Sequence, residues 1–319
     1  MQDFPDISYE SWLDQLQKEL QTSILPEKYV KIDENLHTDP FFERSIKQET
    51  GSRATSSWTV ADRFSLKEHD QADILEALNG GIAGLILDHT EELNDGSMFD
   101  GVFFEYLKTY FHFSMQPTEN QLDNLLKFIE DKGKQHFYIS TDKLSSTQID
   151  QLDKQKIPLL RYYNLDAHHV VEQLGNITNK IVDYLDSLKS NLERQKAAAK
   201  IVINRKLSTD IIREIAIKQA LDIIWAQIIK GFSLDTTPLK VHSTCHTVAD
   251  ETLERQYIAL ASKGLTAVTA SYDLVHIAPA DTKNRSFHRR ISRNIQHLLK
   301  MESYLISLGH YAPELTSSS

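Results

Sequence analysis

The chain alternates short apolar runs with longer segments of helical spacing. Gly81 to Asp88 (GIAGLILD) is a compact apolar run behind a glycine pair and predicts a buried strand. Phe111 to Met115 predicts another strand. Thr118 to Asp131 sets Leu122, Leu125, Leu126 and Ile129 at helical spacing, and Gly133 ends the helix. His136 to Ser140 returns to strand character, Gln148 to Lys154 to a short helix, and Leu159 to Asn164 to a strand. His169 to Lys200 reads as one long helix with Val170, Leu174, Ile177, Ile181, Leu185 and Leu188 inward. Ile201 to Asn204 is a strand. Thr209 or Asp210 then caps a helix that runs to Lys230 and stops at Gly231. Leu239 to Thr244, Glu251 to Lys263, Leu265 to Ser271 and Ser286 to Leu308 continue as strand, helix, strand, helix. Strands alternating with helices imply parallel βα units. About eight such units close a TIM-like (β/α)8 barrel, the α/β fold class expected here. An open doubly wound sheet is the alternative, but no G-x-G-x-x-G follows a strand and there is no Walker motif.

Residues 1–50 form a different segment, an N-terminal arm. Trp12, Leu13, Leu16 and Leu20 make one amphipathic helix, and Pro26 to Phe42 reads as irregular. The arm fits packing on the barrel and docking of a second subunit equally. Residues 51–312 are the expected barrel and 313–319 a disordered tail. The 319 residues carry 45 acidic and 35 basic side chains, net −10, which argues against nucleic acid as a partner. A single cysteine, Cys245, excludes an internal disulfide and fits a cytoplasmic protein. The N-terminus lacks a signal-peptide pattern, and no apolar run approaches the roughly 20 residues that would span a bilayer.

The segment Arg289 to Leu305 is the most specific. An apolar stripe of Ile291, Ile295, Leu298, Leu299 and Leu305 is interrupted by Arg290, Arg293, Asn294, Gln296 and Glu302. It resembles the R-I-A-R-N-x-Q-x-(L/I)-L-x-x-E-S helix in the barrel domain of methylmalonyl-CoA mutases. Asp210 to Ile229 is similar to the family's F-x-E-I-A-K-x-R-A-x-R-x-L-W-A helix, with Glu214, Ile215, Ala216, Ala220, Trp225 and Ala226 matching. Trp58 to Asp88 looks like the family's opening segment, a helix and glycine turn before the first barrel strand. The three occur in the family's order. The departures matter as much. Arg63 stands where the catalytic large chain has a tyrosine, and Asp222 replaces a basic residue that would face CoA. Asp166-Ala167-His168 starts like the cobalamin-binding D-x-H-x-x-G, but the glycine position is Val171, and no cobalamin-binding domain is expected in this sequence. The resemblance is closest to the small, non-catalytic subunit of the heterodimeric enzymes.

The candidate site residues follow. His242 and His246, with Cys245 between them, come at a strand end, the face where barrels build sites. Two histidines without a third ligand do not make a zinc site, so no metal is expected. Cys245 has a histidine beside it but no third group to orient a thiol nucleophile. The resemblance makes His242 the vestige of a proton donor. Arg63, His242, His246, Arg285 and Arg289 are the candidates for holding substrate or an anion such as a CoA phosphate. A plain solvated helix face is the simpler account of Arg285, Arg289, Arg290 and Arg293. The resemblance implies a catalytically silent barrel in a heterodimer with a mutase large subunit. In that complex adenosylcobalamin sits on the partner, and methylmalonyl-CoA and succinyl-CoA are interconverted. The alternatives are a stand-alone acyl-CoA or small-acid binding barrel, and a mutase barrel working with a separate cobalamin-binding chain.

Overall fold

A computed structural model describes residues 8–20, 30–33, 36–38, 57–90, 93, 96–113, 115–133, 136–140, 144–248, 251–281 and 285–303. The chain divides into two units, Met1–Glu49 and Thr50–Ser319. In the first, helix α1 (Tyr9–Leu20) half-buries Trp12, Leu13 and Leu16, as the helical spacing predicts. Strands β1 (Val30–Asp33) and β2 (Leu36–Thr38) pair antiparallel, with Val30 opposite Thr38 and Lys31 opposite His37. The irregular reading of Pro26 to Phe42 is therefore corrected. These strands are too short for their period-two pattern to stand out in sequence. The expected disordered tail lies outside the described residues.

The second unit is a closed barrel of eight parallel strands. They are β3 (Thr59–Ser65), β4 (Gly84–Asp88), β5 (Lys108–His112), β6 (Phe137–Ser140), β7 (Leu159–Leu165), β8 (Ile201–Lys206), β9 (Lys240–Cys245) and β10 (Leu274–Ile277). Each neighbours the next in sequence, and β10 closes on β3, with Leu274 beside Thr59 and His276 beside Ala61. The helices are α2 (Gln71–Asn79), α3 (Glu119–Asp131), α4 (Ser146–Lys154), α5 (Val170–Asp186), α6 (Asn191–Ala198), α7 (Ile211–Gly231), α8 (Leu253–Thr269) and α9 (Arg285–Met301). Among the described residues β4 and β5 are joined by two 3₁₀ turns, Ser97–Phe99 and Phe104–Tyr106, where a helix would normally sit. Phe99, Phe104, Phe128 and Phe137 pack ring on ring there, with Phe99–Phe128 and Phe104–Phe137 centroids both 5.2 Å apart. Capping boxes start four helices, at Asp70, Thr118, Ser145 and Ser190, each satisfying two backbone donors. No described helix is long and apolar enough to cross a membrane.

Several sequence expectations are corrected. The first barrel strand is β3, which precedes the Gly81 run; Asp62 and Arg63 break its apolar signal. The single helix expected over His169 to Lys200 is two, because the turn at Ser187 to Ser190 ends α5 and Ser190 caps α6. Leu265 to Ser271 is not a strand but the last turns of α8. The strand is Leu274–Ile277. The sequence reading stopped α8 before Gly264, yet Gly264 lies inside the helix, where an added Cβ would sit 2.9 Å from Ile277 Cδ1. A glycine here lets helix and strand approach closely.

Alternation along each strand splits the apolar residues into two cores. Phe64, Leu85, Leu87, Phe111, Ile203, Val241 and Val275 face the helices. Ala61, Ile86, Tyr110, Leu160, Val202 and Leu274 fill the barrel interior, with Tyr138 and Tyr162 packed against them. Between barrel and helices lies a fully buried ion pair. Arg205 on β8 meets Glu214 on α7 through Nε–Oε2 at 2.9 Å and Nη2–Oε1 at 2.6 Å. Arg205 also donates to the Leu165 and Asp166 carbonyls, and Ser208 N donates to Glu214 at 3.1 Å. Removing one member leaves an uncompensated buried charge. Glu214→Gln is expected to lower the unfolding free energy by about 3–5 kcal/mol in urea titration. The double change Arg205→Met with Glu214→Leu is expected to recover most of that loss.

Candidate functional site

The C-terminal ends of the strands form a polar mouth. Past each mid-barrel interior residue, the next inward position is polar: Arg63 after Ala61, Asp88 after Ile86, His112 after Tyr110, Asn164 after Tyr162, Asn204 after Val202 and His276 after Leu274. Arg63 Nε lies 3.3 Å from Asp88 Oδ2, both partly exposed. Asn204 donates to Asn164 at 2.8 Å, and Lys206 pairs with Asp166 at 2.9 Å. Of the residues expected from sequence, Arg63 and His246 reach this mouth. His246 follows β9 and is exposed, and its carbonyl accepts from Lys263 Nζ at 2.8 Å.

His242 does not reach it. It lies mid-strand, buried in the barrel interior, which corrects its expected strand-end place. Alternation sends Cys245 to the helix-facing core, so the three residues of this stretch diverge. The Cys245 thiol is pushed up to about 12 by burial and is not a nucleophile at neutral pH. Tyr162 Oη and His242 Nδ1 are 2.8 Å apart. The His242 ring stands edge-on to Tyr110 at 5.2 Å and Tyr162 at 5.5 Å, while Tyr110 and Tyr138 stack at 5.0 Å. These four rings plug the barrel axis.

Arg285 and Arg289 sit at the outer edge of the mouth. Arg285 pairs with Glu68 at 3.2 Å, and both arginines approach His69 Nε2 at 2.9 Å. Two guanidinium donors make that nitrogen an acceptor, while His69 Nδ1 lies 3.0 Å from both the backbone nitrogen and the carbonyl oxygen of Ser65. The solvated-face account of this cluster fails for Arg289 and Arg293. The inward face of α9 is polar, made of His288, Arg289, Ser292, Arg293 and Gln296, while Ile295 and Leu299 of the apolar stripe are partly buried beside it and Leu298 is exposed. The reason is Asp62, buried on β3. Arg289 Nη1 meets Asp62 Oδ1 at 2.7 Å and Arg293 Nη1 meets Oδ2 at 3.3 Å. Arg293 continues to Glu76 at 3.1 Å, and Arg289 donates to the Arg63 carbonyl at 2.8 Å while lying over the Phe64 ring. Gly80 makes room, since a Cβ there would stand 2.6 Å from Arg293 Nε.

The electrostatics do not favour proton transfer. Loss of water pushes His112 down to about 3, and Arg63 adds to the fall. Burial pushes His242 down to about 3 and holds His276 well below the usual histidine range. Burial raises the Tyr110 and Tyr162 phenols. A general acid or base works best near the operating pH, and these groups are all locked neutral there. Among the described residues no group of three or more His, Cys, Asp or Glu could hold a metal. His168 is exposed just ahead of α5, and Val171 occupies the position where a cobalamin motif needs glycine. The D-x-H segment therefore does not fit that cofactor. The mouth residues Asp88, His112, Asn164, Asn204 and His276 were missed in sequence. Their signal is a polar residue two positions beyond an interior one, visible only once strand ends are set.

The chain matches no protein-family model. It is 20% identical to the methylmalonyl-CoA mutase small subunit of Porphyromonas gingivalis, across 99% of this chain and 61% of that protein. The chain thus spans about three fifths of the relative's length. Among solved structures, dihydropteroate synthase from Coxiella burnetii aligns at a TM-score of 0.47 with 12% identity, over 80% of this chain and 95% of that one. The Yersinia pestis dihydropteroate synthase aligns at 0.43 with 8% identity, over 76% and 94%.

Two outcomes are expected from this geometry. Asp62→Asn leaves two buried guanidiniums around a neutral amide and is expected to destabilise the fold by about 3–5 kcal/mol in denaturant titration. The second concerns pH. Above about 6.5 the buried histidines are neutral in both folded and unfolded chains. Below that value the unfolded chain takes up protons that the folded chain refuses, so stability falls as pH falls toward the folded values near 3. Each such histidine contributes a slope of up to about 1.4 kcal/mol per pH unit. His242→Gln is expected to reduce the slope of unfolding free energy between about pH 6 and 4 by close to one proton. Over its whole length the chain is distantly similar to the small subunit of a methylmalonyl-CoA mutase.

Proposed function

We propose that this chain is a catalytically silent barrel that pairs with the large, cobalamin-dependent subunit of a methylmalonyl-CoA mutase. The observation that carries the reading is the plugged axis. Tyr110, Tyr138, Tyr162 and His242 fill the axis and leave no passage through it, and the histidines around it are neutral. The similarity to a small subunit supports the same conclusion. Adenosylcobalamin belongs to the partner in this reading, and its radical chemistry takes place there. The role of this chain is to stabilise and shape the assembly.

At the mouth Arg63 stands beside Asp88, where the resemblance implies a tyrosine in a working large chain. A guanidinium donates hydrogen bonds and stays charged, so it anchors an anion or a partner carboxylate without moving a proton.

The tagged chain is expected to recover, from its native cells, a larger chain bearing D-x-H-x-x-G, identified by mass spectrometry and present one to one in the native complex. The purified chain alone is expected to show no conversion of methylmalonyl-CoA with adenosylcobalamin added. Turnover by the lone chain, or capture of no such partner, would overturn the proposal.

A further inference from the structure

The barrel has a second mouth, at the N-terminal ends of the strands, opposite the one just described. A pocket of about 80 Å³ opens there. Lys108, the first residue of β5, and Lys240, the first of β9, stand at its rim. Tyr110, Tyr138 and His242 form its floor, and Leu160 and Leu274 its apolar walls. The floor is the inner side of the axial plug, so the pocket is a dead end.

The donors facing this space are largely unspent. Lys108 Nζ donates to Thr59 Oγ1 at 3.2 Å, and Lys240 Nζ to the Ala199 carbonyl at 3.0 Å. An ammonium has three protons, so each lysine keeps two for another acceptor, and neither forms a salt bridge among the described residues. The Tyr110 and Tyr138 hydroxyls make no hydrogen bond among the described residues, and burial keeps both protonated. His242 uses Nδ1 on Tyr162, and its Nε2 has no partner among the described residues. Asp273 is the one carboxylate in the lining, and it accepts from Val241 N at 2.8 Å. Two ammoniums against one carboxylate leave the pocket positive. Lys240 is held below its usual range by loss of water; the Asp273 carboxylate opposes the fall, and repulsion from Lys108 adds to it. An anion between the two lysines relieves that repulsion.

We propose that this N-terminal pocket binds a small organic anion, with its carboxylate or phosphate head group between Lys108 and Lys240. Its short apolar part lies on Leu160, Leu274 and the Tyr138 ring. The closed floor excludes any ligand that must thread through the axis. The Tyr110 and Tyr138 hydroxyls donate to the head group, and the apolar walls select a compact body over a bare hydrated ion. This site is separate from the Arg63 mouth and stands whether or not the chain pairs with a mutase subunit.

The test is calorimetric titration of the full chain with sodium butanoate, with inorganic phosphate, and with butylammonium as the cationic control. Saturable one-to-one binding of butanoate or phosphate, but not of butylammonium, is expected. Tighter binding of butanoate assigns a carboxylate ligand, and tighter binding of phosphate assigns a phosphate ester. Replacing both lysines, Lys108→Met with Lys240→Met, is expected to weaken binding at least about tenfold, the scale of one lost charge-assisted hydrogen bond. Arg63→Met, at the other mouth, is expected to leave it unchanged. In the unaltered protein the ring resonances of Tyr110 and Tyr138 are expected to shift with the same affinity, which needs no variant to fold. No saturable binding of either anion at millimolar concentration, tyrosine signals that stay put, or binding lost on Arg63→Met would each overturn the proposal.

Discussion

Eight strands close around a space that side chains alone can fill, and the choice of filling governs everything else in this barrel. Here the middle of the axis holds three tyrosines and a histidine among the branched aliphatics Ile86, Leu160, Val202 and Leu274 that are usual in such interiors. Each of the four rings brings a polar atom into a dry place. The Tyr162–His242 contact satisfies one pair, and the remaining hydroxyls open toward an end of the barrel where a polar partner can meet them. The same filling keeps the histidines neutral and makes the axis impassable. It turns one continuous barrel into two unconnected cups, one around Arg63 and Asp88 and one between two lysines.

The residues by which the sequence resembles the mutase barrel are mostly girders, not ligands. Glu214 holds Arg205 in the wall between β8 and α7. Arg293, with its neighbour Arg289, clamps Asp62 between β3 and α9. Trp225 donates from Nε1 to the Thr237 carbonyl, fixing the start of the segment that leads to β9. A buried charge without its partner costs more than a lost contact in an apolar core. Such residues resist exchange even where a site has ceased to work. The sequence resemblance therefore speaks strongly for the architecture and weakly for the chemistry.

What could be read in the sequence followed the same physics. The runs at β4 and β8 and the leucine spacing of α3 announce themselves because apolar periodicity is their whole signal. Strand β3 escaped because Asp62 and Arg63 sit in its middle, and the burial of Asp62 depends on arginines more than 220 residues away. The end of α8 escaped because Gly264 looks like a stop until Ile277 is seen beside it. At the site, Arg63 was found through the family resemblance and His246 as a residue that follows a strand. His242 was misplaced by a few residues of register, enough to move it from the mouth to the interior. Asp88, His112 and His276 had no local signal, since only closure of the barrel brings them to one rim.

The clamp on Asp62 has a further consequence in time. Its partners, Arg289 and Arg293, lie in the last described helix, 227 and 231 positions along the chain. During synthesis the first barrel strand emerges long before them. Until they arrive the carboxylate has no mate, and the cheapest place for it is water. Burying the first strand without the two guanidiniums would leave an unpaired charge in the core, so shutting the ring is favourable only once the end of the chain delivers them. The closing strand pair thus depends on charge as well as on backbone pairing, and the two ends of the barrel are tied by the same carboxylate.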